Sequence, residues 1–308
     1  MSLKLSKPRG LVELYKEMAV RDRIKSYLVP QVPEIETRIF VHLMRHGEAY
    51  HNLGHFHDRT NKQSFAIPDP SLTKEGIKQV KAAKGQMSKR CPAPNIVLIS
   101  PLTRTIETAL HVFPIDNNRS KSHQPQIVAY DDLRESGAYL CNVRQDVTAL
   151  VDSHNNEGIN FSALSPVIPP MKCIIGAQKR AELVRKEILS IAEIVRQGGG
   201  IWNGVYLQGP LKTAWLPLRR NARKDIHIVM VSHGSFLKYL LPASHRINPA
   251  WKKFKASEIR TYIMDADGHL NETAESKGTR SINISRKVSS ILTSASGSSP
   301  LPGIQRLG

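Results

Sequence analysis

Long apolar runs are missing from this 308-residue sequence: Ile96 to Ile99, Ile226 to Val231 and Phe236 to Leu241 are core-sized, far below the roughly 18 residues a membrane-crossing helix needs. A signal-peptide pattern is missing as well. Lys4, Lys7 and Arg9 are not followed by a continuous apolar stretch, and Glu13, Glu17 and Asp22 are foreign to a transit peptide. The expected location is the cytosol, with nuclear access left open, and a membrane is not expected as a partner. Cys91, Cys141 and Cys173 form no C-x-x-C pair, so the spacing signals neither a disulfide framework nor a zinc site, and free thiols are expected. Neither Ser100 nor Ser232 sits in a Gly-x-Ser-x-Gly elbow, which argues against a serine hydrolase. Gly198 to Gly200 lacks the adjoining Lys-Ser or Lys-Thr of a phosphate loop. No internal repeat is visible.

Acids are scarce relative to bases, 26 against 44, which leaves a formal charge of +18. Such a balance suits an anionic partner, whether nucleic acid, an anionic surface or a small anion. Lys212, Arg219, Arg220, Arg223 and Lys224 lie in one acid-free stretch, and Lys277 to Arg306 holds a second basic set. Both segments look peripheral, so solvated loop and tail charge is the simpler reading, and nucleic acid is not expected as a partner.

With 40% hydrophobic residues the chain can build an ordinary core. Residues 1–38 carry Leu11, Leu14, Tyr15, Met18, Ile24 and Tyr27 near helical spacing, stopped by Pro30 and Pro33, and are expected to form a helical extension. From Ile39 onward strand and helix patterns alternate. Strands are expected at 38–44, 95–99, 126–130, 226–231 and 259–264. Helices are expected after Thr73, over 102–112, over 178–196 and after Ser232-His233-Gly234. This alternation predicts an α/β fold, a three-layer α/β/α sandwich around a mostly parallel sheet, over residues 39–270. Residues 200–224 are expected as a basic insertion loop, and the serine-rich 278–308 as a disordered tail.

In open α/β sheets, ligands bind outside the carboxyl ends of the strands. Three such ends carry reactive residues: Arg45-His46-Gly47, Ser100 with Arg104, and Ser232-His233-Gly234. Brought together, two imidazoles and two guanidinium groups suit a phosphate dianion, because arginine offers a fixed fork of donors and a neutral imidazole can attack phosphorus.

Five blocks in order carry a resemblance. Arg45-His46-Gly47-Glu48 with Asn52, Asp69-Pro70-Ser71-Leu72-Thr73-Lys74-Glu75-Gly76, Ser100-Pro101-Leu102-Thr103-Arg104-Thr105-Ile106-Glu107-Thr108, Leu133-Arg134-Glu135 and Ser232-His233-Gly234 resemble the motifs of the histidine phosphatase, or phosphoglycerate-mutase-like, superfamily. The resemblance covers roughly residues 39–266 and is nearest the fungal and plant phosphatase-like branch. One position departs from it, since Cys141 is followed by Asn142 where members near this branch often have Cys-Asp.

The resemblance implies a metal-independent phosphatase that hydrolyses a small phosphomonoester without a cofactor. It makes His46 the phosphorylated nucleophile, Glu135 the acid and then the base, and His233 a third catalytic group. Arg45, Asn52 and Arg104 would bind phosphate. The same residues serve a phosphoglycerate-type mutase, and the fold also carries non-catalytic interaction modules, so both stand as alternatives. His51, His55 and His57 follow the nucleophile; without a fourth ligand at a recognisable spacing they are expected to line the pocket mouth, and no metal is expected. The 200–224 loop is expected to bear on specificity. The substrate and the oligomeric state stay open.

Overall fold

A computed structural model of the chain describes residues 37–53, 62–91, 93–114, 124–170, 174–209, 225–242 and 253–279. All of them except Thr37 belong to one unit, Arg38–Leu216 with Lys224–Gly308. The expected helical extension, apart from Thr37 and Arg38, lies outside the described residues, as do the cations of 210–224 and residues 280–308.

Among the described residues the first element is β1 (Ile39–Arg45), whose side chains alternate between two buried faces. A short helical turn α1 (Lys62–Phe65) precedes α2 (Lys74–Arg90), which starts where Thr73 Oγ1 accepts the Gly76 N–H at 2.9 Å. Then come β2 (Ile96–Ile99), α3 (Thr103–Val112), β3 (Gln126–Ala129), α4 (Val147–His154), β4 (Ile159–Asn160) and the long α5 (Ile174–Arg196). A hairpin of β5 (Gly199–Trp202) and β6 (Val205–Gln208) follows, then β7 (Ile226–Ser232), α6 (Gly234–Leu240), β8 (Ile259–Met264) and β9 (Leu270–Glu272).

Seven strands form one sheet in the order β4-β3-β2-β7-β1-β8-β9. The first five are parallel, and β8 and β9 close the far edge antiparallel. The inner strands are buried on both sides, which is why they read as continuous apolar runs. Val41, Leu98 and Met230 face α5, α6 and the hairpin, whereas Met44, Ile99 and Val231 face α2 and α3. The fold is therefore the expected three-layer α/β/α arrangement. On α5, Ala177, Ala181, Val184, Ile188, Ile191 and Val195 recur at three- and four-residue steps and are all buried. Each large aliphatic side chain buried in this way contributes about 1.5–3 kcal/mol.

Register positions the chemistry. Arg45 of β1 pairs with Ser232 of β7, and Ile99 of β2 pairs with Val231, so three strands end side by side. His46, Ser100 and His233, each one residue beyond its strand, are thereby brought to one pole of the sheet.

Three boundaries need correction. The expected 200–224 loop opens as the β5–β6 hairpin, whose Trp202, Val205 and Leu207 are core residues. Its two-residue turn, Asn203 and Gly204, has φ of 44° and 77°, matching the right-handed twist of the flanking strands. At the other end, packing continues past residue 270. β9 pairs with β8, and buried Ser276, in a helical turn over 274–279, accepts the Thr261 N–H at 3.1 Å. Arg38, placed in the N-terminal extension by its sequence, instead binds Asp225 at 2.6 Å and gives its carbonyl to Ile226.

Candidate active site

Three histidines pack together where β1, β2 and β7 end. The ring of His46 lies 5.1 Å from that of His233 and 5.8 Å from that of His51. His46 and His233 are fully enclosed, and His51 is 8% exposed. His51, expected at the pocket mouth, thus stands inside, because Tyr50–Asn52 form one 3₁₀ turn that folds its ring back onto His46. Asn52 supports that turn: its side-chain oxygen accepts the Ala49 N–H at 3.0 Å, and its amide nitrogen donates to His51 Nε2 at 3.1 Å.

The protonation state of His46 follows from its neighbours. Its Nδ1 lies 2.6 Å from the carbonyl oxygen of Gly47, which can only accept, so Nδ1 carries the proton and Nε2 keeps its lone pair. Burial, reinforced by Arg104, Arg45 and His51, holds the imidazole well below its usual pKa, so the ring is neutral at pH 7. His233 is held well below its usual value in the same way, by burial first and then Arg104. Its Nε2 contacts the Ser100 hydroxyl at 2.8 Å. Burial with Arg104 and Arg45 lowers His51 to about 3.

The two arginines are anchored by part of their donors only. Arg104 is fully buried and donates from Nη1 to the Cys141 carbonyl at 2.7 Å and from Nη2 to Asn142 Oδ1 at 3.0 Å. Arg45 donates from Nη1 to the Phe254 carbonyl at 2.8 Å. Four buried nitrogens in this cluster, Arg45 Nε, Arg104 Nε, His51 Nδ1 and His233 Nδ1, have no hydrogen-bond partner among the described residues. Each such unmet group costs about 1–3 kcal/mol. Together with two guanidinium charges, they are complementary to an anion with several oxygen acceptors.

Glycine is required where α2 meets the strand ends. A Cβ on Gly76 would stand 2.0 Å from the Glu48 carbonyl oxygen, and one on Gly47 would stand 2.7 Å from Val80 and 2.8 Å from the Gly76 carbonyl. The β1–α2 packing that orients His46 therefore depends on both positions lacking a side chain.

Glu135 is the carboxylate that most offsets the burial of both Arg45 and Arg104, two groups whose pKa burial lowers. Its Oε2 accepts the Ser235 N–H at 3.2 Å beside the start of α6, and its Oε1 accepts the Ser136 N–H at 2.7 Å. The structure thus brings His46, Arg45, Arg104, Glu135 and His233 to one pole. Asn52 stands one step behind, through His51. Sequence reasoning assigned no role to Asn142 or Ser100, whose side chains hold Arg104 and His233, and the Cys141-Asn142 departure was the signal for the first. Of the suggested metal ligands, His55 and His57 lie outside the described residues. Among the described residues, the groups close enough to share a metal are His42 with Cys91 and His227, and Asp265 with Asp267 and His269, all away from this cluster. Both nitrogens of His42 are already hydrogen-bonded, to Thr261 and His227. The donors around His46 suit an anion.

The family model described as "Histidine phosphatase superfamily (branch 1)" matches residues 41–190. No curated protein matches the sequence. Similar solved structures include phosphoserine phosphatase from Entamoeba histolytica, 18% identical over 77% of this chain and 95% of its own, with a TM-score of 0.41. Ecdysone phosphate phosphatase from Bombix mori is 13% identical over 77% and 92%, with a TM-score of 0.47. Mycobacterial glucosyl-3-phosphoglycerate phosphatase is 18% identical over 76% and 96%, with a TM-score of 0.43.

Proposed function

We propose that this chain, whose residues 41–190 match the histidine phosphatase superfamily, hydrolyses a small phosphomonoester by way of a phosphohistidine on His46. The observation that carries this reading is the set of four buried nitrogens, two on arginine and two on histidine, without a partner among the described residues, around an imidazole whose Nδ1 proton goes to the Gly47 carbonyl so that Nε2 keeps its lone pair. An enclosed set of donors of this kind is complementary to a phosphoryl group.

In the proposed reaction His46 Nε2 attacks phosphorus in line with the departing oxygen. Arg45, Arg104, His51 and His233 take the non-bridging oxygens and stabilise the charge they carry in the transition state. As the phosphorus–oxygen ester bond breaks, Glu135 gives its proton to the leaving alkoxide, which departs as the alcohol. The Gly47 carbonyl stays on Nδ1–H and stabilises the positive charge developing on the ring. Glu135, now a carboxylate, takes a proton from water. The hydroxide attacks the phosphohistidine, phosphate leaves, and Nε2 regains its lone pair.

The test is rapid-quench labelling with a radiolabelled phosphomonoester, alongside phosphate release with chelator present. Acid-labile label on the protein and phosphate release, both lost in His46→Ala, are the expected results. Turnover that survives His46→Ala refutes the mechanism. Label that forms without phosphate release, and passes instead to a second hydroxyl, identifies a mutase.

A further inference from the structure

A pair of exposed aromatic rings stands beside the histidine cluster that contains His46. Phe65 and Tyr139 come from segments more than seventy residues apart, yet their rings meet with centroids 4.9 Å apart, tilted by 33°. They do so while 42% and 52% exposed, so neither is buried by the contact. The pair is tied to the site on two sides. Phe65 lies 6.4 Å from the ring of His51, which in turn packs on His46. The Tyr139 ring lies over Gly137, where a Cβ would stand 2.9 Å from it, in the loop that begins at Glu135. Tyr50 and Leu53 on either side of His51, and Leu140 beside Tyr139, are also exposed.

In the reaction above, the leaving oxygen must lie between phosphorus on His46 and the acid on Glu135. The aromatic pair spans from the neighbour of the first to the loop of the second, so the group attached to that oxygen passes along it. We infer that Phe65 and Tyr139 form the leaving-group subsite and select phosphomonoesters of alcohols bearing an aromatic or extended apolar group. Sugar phosphates and phosphoglycerates would be poor substrates, because hydroxyl and carboxylate groups lose water against these rings without gaining a partner. The inference rests on the phosphatase reading of His46 and Glu135.

The test compares 2-phenylethyl phosphate with ethyl phosphate, whose leaving alcohols have similar acidity and differ by one ring. Wild-type kcat/KM should favour the phenylethyl ester by about tenfold, the scale expected for one stacked and partly buried ring. That ratio should fall at least threefold in both Phe65→Ala and Tyr139→Ala and return in Tyr139→Phe. Calorimetric affinities of the matching phosphonates, which cannot turn over, should show the same preference and the same response to the variants. A flat ratio in the wild type, or one indifferent to both variants, overturns the subsite. Phosphonate preference without hydrolysis of either ester would leave the subsite standing and refute the phosphatase reading instead.

Discussion

Acid should unfold this protein in a way traceable to named histidines. His42 is fully buried on β1, with Nδ1 3.1 Å from Thr261 Oγ1 and Nε2 3.0 Å from His227 Nδ1. Burial, then the neighbouring His227 and Arg90, lower it from 6.5 to about 3. His51 falls from 6.5 to about 3 through burial, Arg104 and Arg45. A histidine held neutral in the fold but free to charge when unfolded makes the unfolded chain the better proton binder between those two values. The stability it contributes is therefore complete above pH 6.5 and is lost as pH falls toward 3. At pH 5 each of the two costs about 2 kcal/mol relative to pH 7.5, together about 4 kcal/mol, a large part of the 5–15 kcal/mol typical of a folded domain. His46 and His233, lowered in the same direction, add to the loss. Urea denaturation at pH 7.5 and pH 5.0 measures the difference. The decisive comparison is His42→Asn: whatever its stability at pH 7.5, its loss on going to pH 5.0 should be smaller than wild type's by about 2 kcal/mol. An equal loss in wild type and variant would show that His42 is not held neutral by the fold, and the reasoning would fail with it.

Other perturbations read the candidate site directly. Glu135→Gln should cripple hydrolysis of alkyl phosphates while sparing aryl phosphates, whose leaving groups need little protonation; equal losses in steady-state assays on both would remove Glu135 as the acid. Asn142→Ala takes away the side-chain oxygen that holds Arg104 Nη2 at 3.0 Å. A lost hydrogen bond to a charged group is worth about 2 kcal/mol, so inhibition by vanadate should weaken roughly tenfold or more; unchanged inhibition would mean that Arg104 needs no such support. Gly76→Ala puts a methyl group into the Glu48 carbonyl, and the strain should cost about 3 kcal/mol in a urea titration. A midpoint like wild type's would show that α2 can move away freely.

Most of the sheet is legible in the sequence, because β1, β2 and β7 are buried on both faces and leave short, dense apolar runs bounded by Gly, Pro or polar residues. β5 and β6 were legible too. Trp202-Asn203-Gly204-Val205 is a two-residue hairpin signal, obscured by the basic stretch that follows it. β4 and β9, at two and three residues, are too short for any periodicity, and pairing with β3 and β8 is what defines them.

The candidate site divides along the same line. Its reactive residues stand in local motifs, so their chemical types and their places after strands were open to a linear reading. What those groups can do depends on contacts between distant segments. Asn142 reaches Arg104 from 38 residues away and Ser100 reaches His233 from 133. His51 turns inward because one 3₁₀ turn closes beneath it, and Phe65 meets Tyr139 from 74 residues away. By itself the sequence determined the alternating elements, the excess of positive charge and the identity of the reactive groups, since each is a property of short stretches of chain. Tertiary structure alone decided that His46 is neutral with its Nδ1 proton on the Gly47 carbonyl, that four buried nitrogens lack a partner among the described residues, and that the rings of Phe65 and Tyr139 meet near His51. Burial and hydrogen-bond partners set protonation and donor supply, and they exist only once the strand register of β1, β2 and β7 has aligned their ends.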